Sequence, residues 1–251
     1  LVAGGHIPNS QKSYDNICQL MTKARSAGLV DWDAIEDRGR EVISRNNWNS
    51  PQELLNACAK QYYESMWSAQ EYNPMIIVEK EALAGIFERL AFPWDVPVFP
   101  SRGYASATTL REIGKYNFMS EAKPVIVFHF GDHDPSGIDM SRDLEERLNM
   151  FARGLVDIDF QRIALNMDQI EDQQPPPFFA KITDSRYQGY VDIYGEDAWE
   201  LDALSPEYLK ELVDENVGRL INQEQWDRDR KRIERRKKAL ADLAANWKDR
   251  K

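Results

Sequence analysis

Cysteine is nearly absent: Cys18 and Cys58 are the only two among 251 residues. They fall in separate stretches of helical spacing, which excludes a disulfide framework and a zinc site and matches the usage of a reducing cytoplasm. Long apolar runs are missing as well. No stretch approaches the ~18 apolar residues of a membrane span, and no signal-peptide pattern is present. A Gly-x-x-x-x-Gly-Lys-Ser/Thr loop is also lacking, so any ATP-driven step would need a partner ATPase. What is present, 42% apolar and 29% charged residues, is the composition of a soluble globular protein. The length suits one large domain or two small ones.

The net charge of −10 argues against nucleic acid coating the whole surface, but the charge is unevenly placed. Residues 226–251 hold 11 Lys/Arg against 5 Asp/Glu, a net of +6. The other 225 residues hold 21 basic and 37 acidic groups, a net of −16. A basic tail on an acidic body can meet phosphates locally, or dock on its own body or on a partner.

Along the chain, Ser10 or Ser13 caps a helix carrying Ile17, Leu20, Met21 and Ala24, with Gly28 as its stop. Leu29 to Trp32 then reads as a short extended piece. Helix, tight turn and strand suit either part of a winged helix-turn-helix, with Lys12, Lys23 and Arg25 as phosphate contacts, or a plain helical subdomain. Ser50-Pro51-Gln52-Glu53 is a firmer helix start, with a Ser cap, Pro at the first helical position and Glu at the third. That helix is expected to run to about Ala69, and Asn73-Pro74 sets the first boundary.

From Met75 the period changes. Met75–Val78, Val96–Phe99, Val125–Phe130 and Ile158–Leu165 read as buried strands, and the first three are each followed by a helical stretch. Strands alternating with helices predict an α/β fold with a parallel sheet of about four strands flanked by helices. Residues 167–184, with Pro175-Pro176-Pro177, read as a long irregular segment. Ala198–Leu204 is expected as a fifth strand, and Ser205-Pro206-Glu207 as the start of a long helix. The expected organisation is a helical N-terminal domain over 1–73, an α/β domain over 74–204, and C-terminal helices with a basic tail over 205–251. Trp226, Ile233, Leu240 and Trp247 recur every seven positions, a stripe suited to docking or to pairing two copies of the chain as a homodimer.

Chemistry concentrates at strand ends. Val125–Phe130 runs into Gly131-Asp132-His133-Asp134-Pro135-Ser136-Gly137, and in open α/β sheets ligands bind beyond the carboxyl ends of strands. Asp132 and Asp134, two apart, share a face in extended backbone and can converge on one cation. Glu79 ends an earlier strand. Lys80 and Arg102 lie beside the strand ends, where they can hold phosphates. Glu200 and Asp202 occupy alternate positions of the expected late strand and suit a second ion. His133 should point away from its two Asp neighbours, His129 reads as a buried strand residue, and Glu81 as the first turn of a helix, where acids favour the dipole.

A Glu ending one strand and an Asp-x-Asp ending a later one is the pattern of the Toprim domain, which the chain resembles at Glu79, Asp132 and Asp134. Gly103 is similar to that domain's turn glycine. The run Asp132–Gly137 looks most like the A subunit of topoisomerase VI and its meiotic double-strand-break relatives, and the whole chain resembles uncharacterised Toprim proteins of phages and mobile elements. The likeness covers about residues 75 to 165, extending toward 204. It implies a winged-helix domain ahead of a catalytic domain, Mg²⁺ (or Mn²⁺) held by the three acids, and DNA phosphodiester bonds as substrate. Its alternative is a non-catalytic DNA-binding or assembly subunit; primase-like transfer lacks the zinc motif. Relatives of the topoisomerase kind attack with a tyrosine from the winged helix. Tyr14 lies in that region without a matching signature, so the nucleophile is a tyrosine upstream of Leu1 or a metal-activated water.

Overall fold

The computed structural model describes residues 6–8, 10–31, 34, 47–101, 123–152, 154 and 156–247. They divide into two compact units, residues 1–62 with 236–251, and residues 63–235. The boundaries expected at 73 and 204 therefore move: residues 63–72 and 205–235 belong to the α/β unit.

In the first unit, α1 (Gln11–Ser26) is capped by the Ser10 side chain, which accepts the N–H of Ser13, and Gly28 beyond its end takes φ 72°. A residue without Cβ adopts that left-handed angle at no steric cost. No strand follows among the described residues, and Trp32 lies outside them. The second helix, α2 (Pro51–Gln61), starts as expected: Ser50 accepts the N–H of Glu53, and Glu53 reaches back to the N–H of Asn49. It ends at Gln61, eight residues short of the expected Ala69. Tertiary contacts override the helical pattern here. In the α/β unit, Asp95 accepts the Met66 N–H at 2.8 Å and the Trp67 indole donates to the Trp94 carbonyl at 2.8 Å, which holds residues 63–70 as turns.

The α/β unit is built on four parallel strands, β1 (Asn73–Val78), β2 (Val98–Pro100), β3 (Val125–Phe130) and β4 (Ile158–Ala164), in the spatial order β2-β1-β3-β4. Helix α3 (Glu81–Ala91) follows β1, and α4 (Pro135–Ala152) follows β3. This is the α/β, Rossmann-like sheet that the alternation predicted.

The pleat sorts the strand residues onto two faces. Ile76, Val78, Ile126, Phe128 and Phe130 pack with Leu83 and Phe87 of α3, and with Leu209, Val213 and Val217 of α7 (Pro206–Gly218). Met75, Ile77, Val125 and Val127 pack with Leu144 and Leu148 of α4. Helices thus cover both faces, which is why these strands read as unbroken apolar runs.

The remaining segments correct the expectations. Residues 167–173 form α5 (Met167–Gln173), started by a capping box between Asn166 and Gln169. The expected fifth strand is reduced to β6 (Asp197–Ala198), antiparallel to β5 (Phe178–Phe179) and outside the main sheet, and Leu201–Ala203 is a 3₁₀ turn. Between them lies α6 (Tyr187–Tyr194). In α8 (Gln223–Ala245), Trp226 and Ile233 are buried in the core of the α/β unit, with the Trp226 ring edge-on to Trp67 at 5.5 Å. Half of the seven-residue stripe is thereby satisfied within the chain. No described helix is long and apolar enough to cross a membrane.

Candidate functional site

In the order β2-β1-β3-β4 the chain leaves β1 toward one edge and β3 toward the other, so the connections diverge at the carboxyl ends of β1 and β3. Ligands of open α/β sheets bind at such a switch point. Glu79 directly follows β1, and Asp132 and Asp134 follow β3.

Glu79 and Asp132 are brought together directly: Oε2 of Glu79 accepts the backbone N–H of Asp132 at 2.9 Å. Both residues are over 90% covered. Burial, with the adjacent Asp132 and Asp134 charges, pushes the Glu79 carboxyl up to about 7; the N–H it accepts and Arg162 act against that. Burial also pushes Asp132 up to about 6, opposed by Lys80 and by the N–H of Leu201, which its Oδ1 accepts at 2.7 Å. Burial outweighs what the neighbouring donors and cations give back.

Asp134 turns elsewhere. Its Oδ1 accepts the Gly137 N–H at 2.7 Å and the Ser136 hydroxyl at 2.8 Å, which makes it the cap of α4, with Pro135 at the first helical position. Asp134 thus has a second task that the spacing of the acids did not announce, because the chain begins its helix one residue after it. Among the described residues no group of three His, Cys, Asp or Glu is arranged to hold a metal ion. The donor chemistry nonetheless fits a hard cation: these are oxygen ligands, and among the described residues Glu79 Oε1 and Asp134 Oδ2 carry no hydrogen bond.

Lys80 reaches the opposite side of the site. Its backbone is extended, φ −91° and ψ 119°, so its side chain departs from that of Glu79. Its Nζ stands 3.5 Å from Asp132 Oδ2, 3.4 Å from Glu200 Oε2 and 3.2 Å from Asp202 Oδ1. Burial pulls its pKa down, but the three carboxylates more than reverse this and raise it. Glu200 and Asp202 are thus brought beside Asp132 through Lys80, Glu200 from the approach to a 3₁₀ turn and Asp202 from within it, rather than from a strand.

Two features were not foreseen, the part played by Arg162 and the close approach at Gly131 and Gly137, whereas His129 is buried in its strand as expected. Arg162, near the end of β4, is half-buried and braces the loop after β3: Nη2 donates to the carbonyls of Asp132 (2.6 Å), Leu165 (3.2 Å) and Gly131 (3.3 Å), and Nη1 to that of Gly137 (3.1 Å). The sequence offered no signal for it, because β4 also carries Asp159 and Gln161. Gly131 and Gly137 permit the close approach, since a Cβ at Gly137 would lie 2.2 Å from the Asp132 carbonyl oxygen. His129, wholly buried, shares a hydrogen bond with Ser141 at 3.0 Å, and its pKa falls to about 3 by burial and the nearby Arg162. His133 points away from the acids, as expected, into Tyr190 and Tyr194; Nδ1 lies 2.8 Å from the Tyr190 hydroxyl.

Arg102 and Gly103 are outside the described residues. Lys12 and Lys23 are exposed on α1 and, eleven residues apart, share one helical face. Arg25 lies about 200° around from Lys23, so the three do not form one phosphate-facing row. Compared with known proteins, the chain matches no family model and no curated protein.

Proposed function

We propose that the chain is a metal-dependent DNA-processing protein of the Toprim kind that cleaves or transfers phosphodiester bonds at Glu79, Asp132 and Asp134. One observation carries this reading: Glu79 and Asp132, 53 positions apart in sequence, are hydrogen-bonded to each other at the switch point of a parallel sheet. Both are buried, and burial first of all, with neighbouring acids adding to it, holds them above their ordinary pKa, an arrangement that a cation relieves.

Glu79, Asp132 and Asp134 would hold Mg²⁺ or Mn²⁺, and the bound ion would supply Lewis-acid charge to a phosphodiester. Glu79, placed near neutrality, is suited to take or return a proton at its free Oε1. Asp134 ties the site to the start of α4, and Arg162 keeps the Asp132 backbone from moving as charge develops. Lys12 and Lys23 would meet DNA phosphates in a winged-helix front domain, and the basic stretch 226–251 would add electrostatic attraction.

Incubating the full chain with plasmid DNA and Mg²⁺ or Mn²⁺, beside Asp132→Ala, tests the reading. Equal cleavage by both proteins removes the site.

A second reading, a non-catalytic DNA-binding or assembly subunit working with a partner ATPase, draws on a different observation. Lys80 already neutralises part of the acid cluster without any metal. DNA binding and Mg²⁺ binding without turnover by the isolated chain would favour it.

A further inference from the structure

Three carboxylates from separate parts of the chain converge on one ammonium. Asp132 comes from the loop after β3, Glu200 from the approach to a 3₁₀ turn, and Asp202 from within that turn. Their positions are fixed by backbone. Trp199 exchanges both backbone hydrogen bonds with His133, at 2.8 and 2.9 Å, and Leu201 donates its N–H to Asp132 at 2.7 Å. Residues 199–201 are thereby pinned against the loop that carries Asp132. Lys80 is set by its place directly after Glu79 in extended backbone, on the side of the strand end opposite to its neighbour.

The stoichiometry matches an ammonium. Lys has three donor protons and no acceptor, and three carboxylates face it. The distances match as well. Oxygens 3.2–3.5 Å from the nitrogen are spaced for an ammonium ion pair, whereas Mg²⁺ draws its ligands in to about 2.0–2.1 Å. The lysine side chain is only 23% exposed, so this is not a solvated surface pair of negligible worth.

We propose that Lys80 is the built-in second cation of the site: its ammonium holds the place among Asp132, Glu200 and Asp202 that a second divalent ion would occupy, so the centre takes one divalent ion. This rests on the metal-dependent reading above and departs from the sequence-level expectation that Glu200 and Asp202 serve a second metal. Two-metal sites place their ions about 3.5–4 Å apart to face both the attacking and the leaving oxygen. Here the ammonium, which shares Asp132 with the ion site, faces the second of those positions as a fixed positive charge. Glu200 and Asp202 act as positioning residues that hold the lysine there.

Mn²⁺ titration of the full chain by calorimetry, with electron paramagnetic resonance to detect coupled ion pairs, tests the proposal. The wild type should bind one Mn²⁺ with no spin coupling. Lys80→Met should bind two, the pair spin-coupled, and adding Asp202→Asn to Lys80→Met should return the count to one. Circular dichroism establishes that each variant is folded. Should Lys80→Met not fold, Asp202→Asn alone decides: the proposal expects one Mn²⁺ still, with affinity changed less than about threefold. Two ions bound to the wild type would overturn the role of Lys80 and leave the metal reading standing. One ion only in folded Lys80→Met would overturn it likewise. No ion on the wild type would overturn both.

Discussion

Glu79 Oε2 holds the backbone N–H of Asp132 at 2.9 Å, so the first acid of the site fixes the position of the second. Glu79→Gln keeps an acceptor for that N–H and removes the charge. The variant should fold, and without metal at pH 8 it should melt no lower than the wild type. Its affinity for Mn²⁺ should fall by about 10–100-fold, the range seen when groups that orient or ligate a metal are lost. Glu79→Ala instead leaves a buried N–H unpaired, at a cost of about 1–3 kcal/mol. Thermal denaturation and calorimetry on the two variants separate charge from anchoring.

The same pair predicts a pH dependence. Glu79 at about 7 and Asp132 at about 6 both lie above their ordinary values of 4.5 and 3.8. The folded state then binds protons more tightly than the unfolded chain. The stability from this is complete below the ordinary values and is lost as pH rises through about 6 and 7. His129 at about 3 and His133 at about 4 act oppositely, costing stability as pH falls below 6.5. Between pH 8 and pH 6.5 the two sets largely offset each other, so the carboxylate contribution is read by difference. In a chelating buffer the stability of the wild type relative to Glu79→Gln should rise from pH 8 to pH 6.5, by at most about 1.4 kcal/mol per pH unit. Saturating Mg²⁺ should flatten that rise. Melting curves with and without the ion check both statements.

Gly137 meets the Asp132 carbonyl so closely that an added Cβ would lie 2.2 Å from its oxygen. That atom is backbone and is already held by Arg162, so it cannot swing aside. Gly137→Ala should cost at least about 1–3 kcal/mol. Gly189→Ala, in α6 with nothing within 4 Å of its added Cβ, should be neutral or stabilising by up to about 1 kcal/mol. Urea denaturation of both variants measures the contrast.

Arg162 gives four carbonyls a donor through one planar fork. Arg162→Met takes the donor from the Asp132 and Leu165 carbonyls and removes positive charge beside Glu79 and Asp132, for a loss of about 3–5 kcal/mol. Arg162→Lys should restore little of it, since one ammonium lacks the geometry of the fork. Equilibrium unfolding of the two variants is the measurement.

The sheet was legible because its two central strands, β1 and β3, are buried on both faces and stand out as apolar runs between helical stretches. The caps at Ser10 and Ser50 were legible because one side chain decides each. The failures share a physical cause. Residues 63–70 carry a helical pattern, yet their N–H groups found better partners on Asp95 and their indole on Trp94. Glu200 and Asp202 carry a strand pattern, but the N–H of Leu201 is drawn to Asp132 and closes a turn instead. Both outcomes depend on residues over 25 positions away. Glu79, Asp132 and Lys80 could be named from strand-end position alone, whereas Arg162 could be recognised only once β4 lay beside β3. The spacing of Asp132 and Asp134 did not announce that the second acid also caps α4.

The most direct test of the site is the single-turnover rate of plasmid nicking in Mg²⁺ or Mn²⁺ by the wild type and by Asp132→Asn. Asn keeps an oxygen to accept the Leu201 N–H while removing the charge, so the fold is preserved and the cation site is not. The account predicts nicking that disappears in chelator and falls at least about 100-fold in the variant, as expected when several kcal/mol of charge stabilisation is lost. Nicking at equal rates by the two proteins, or nicking that persists in chelator, would contradict it.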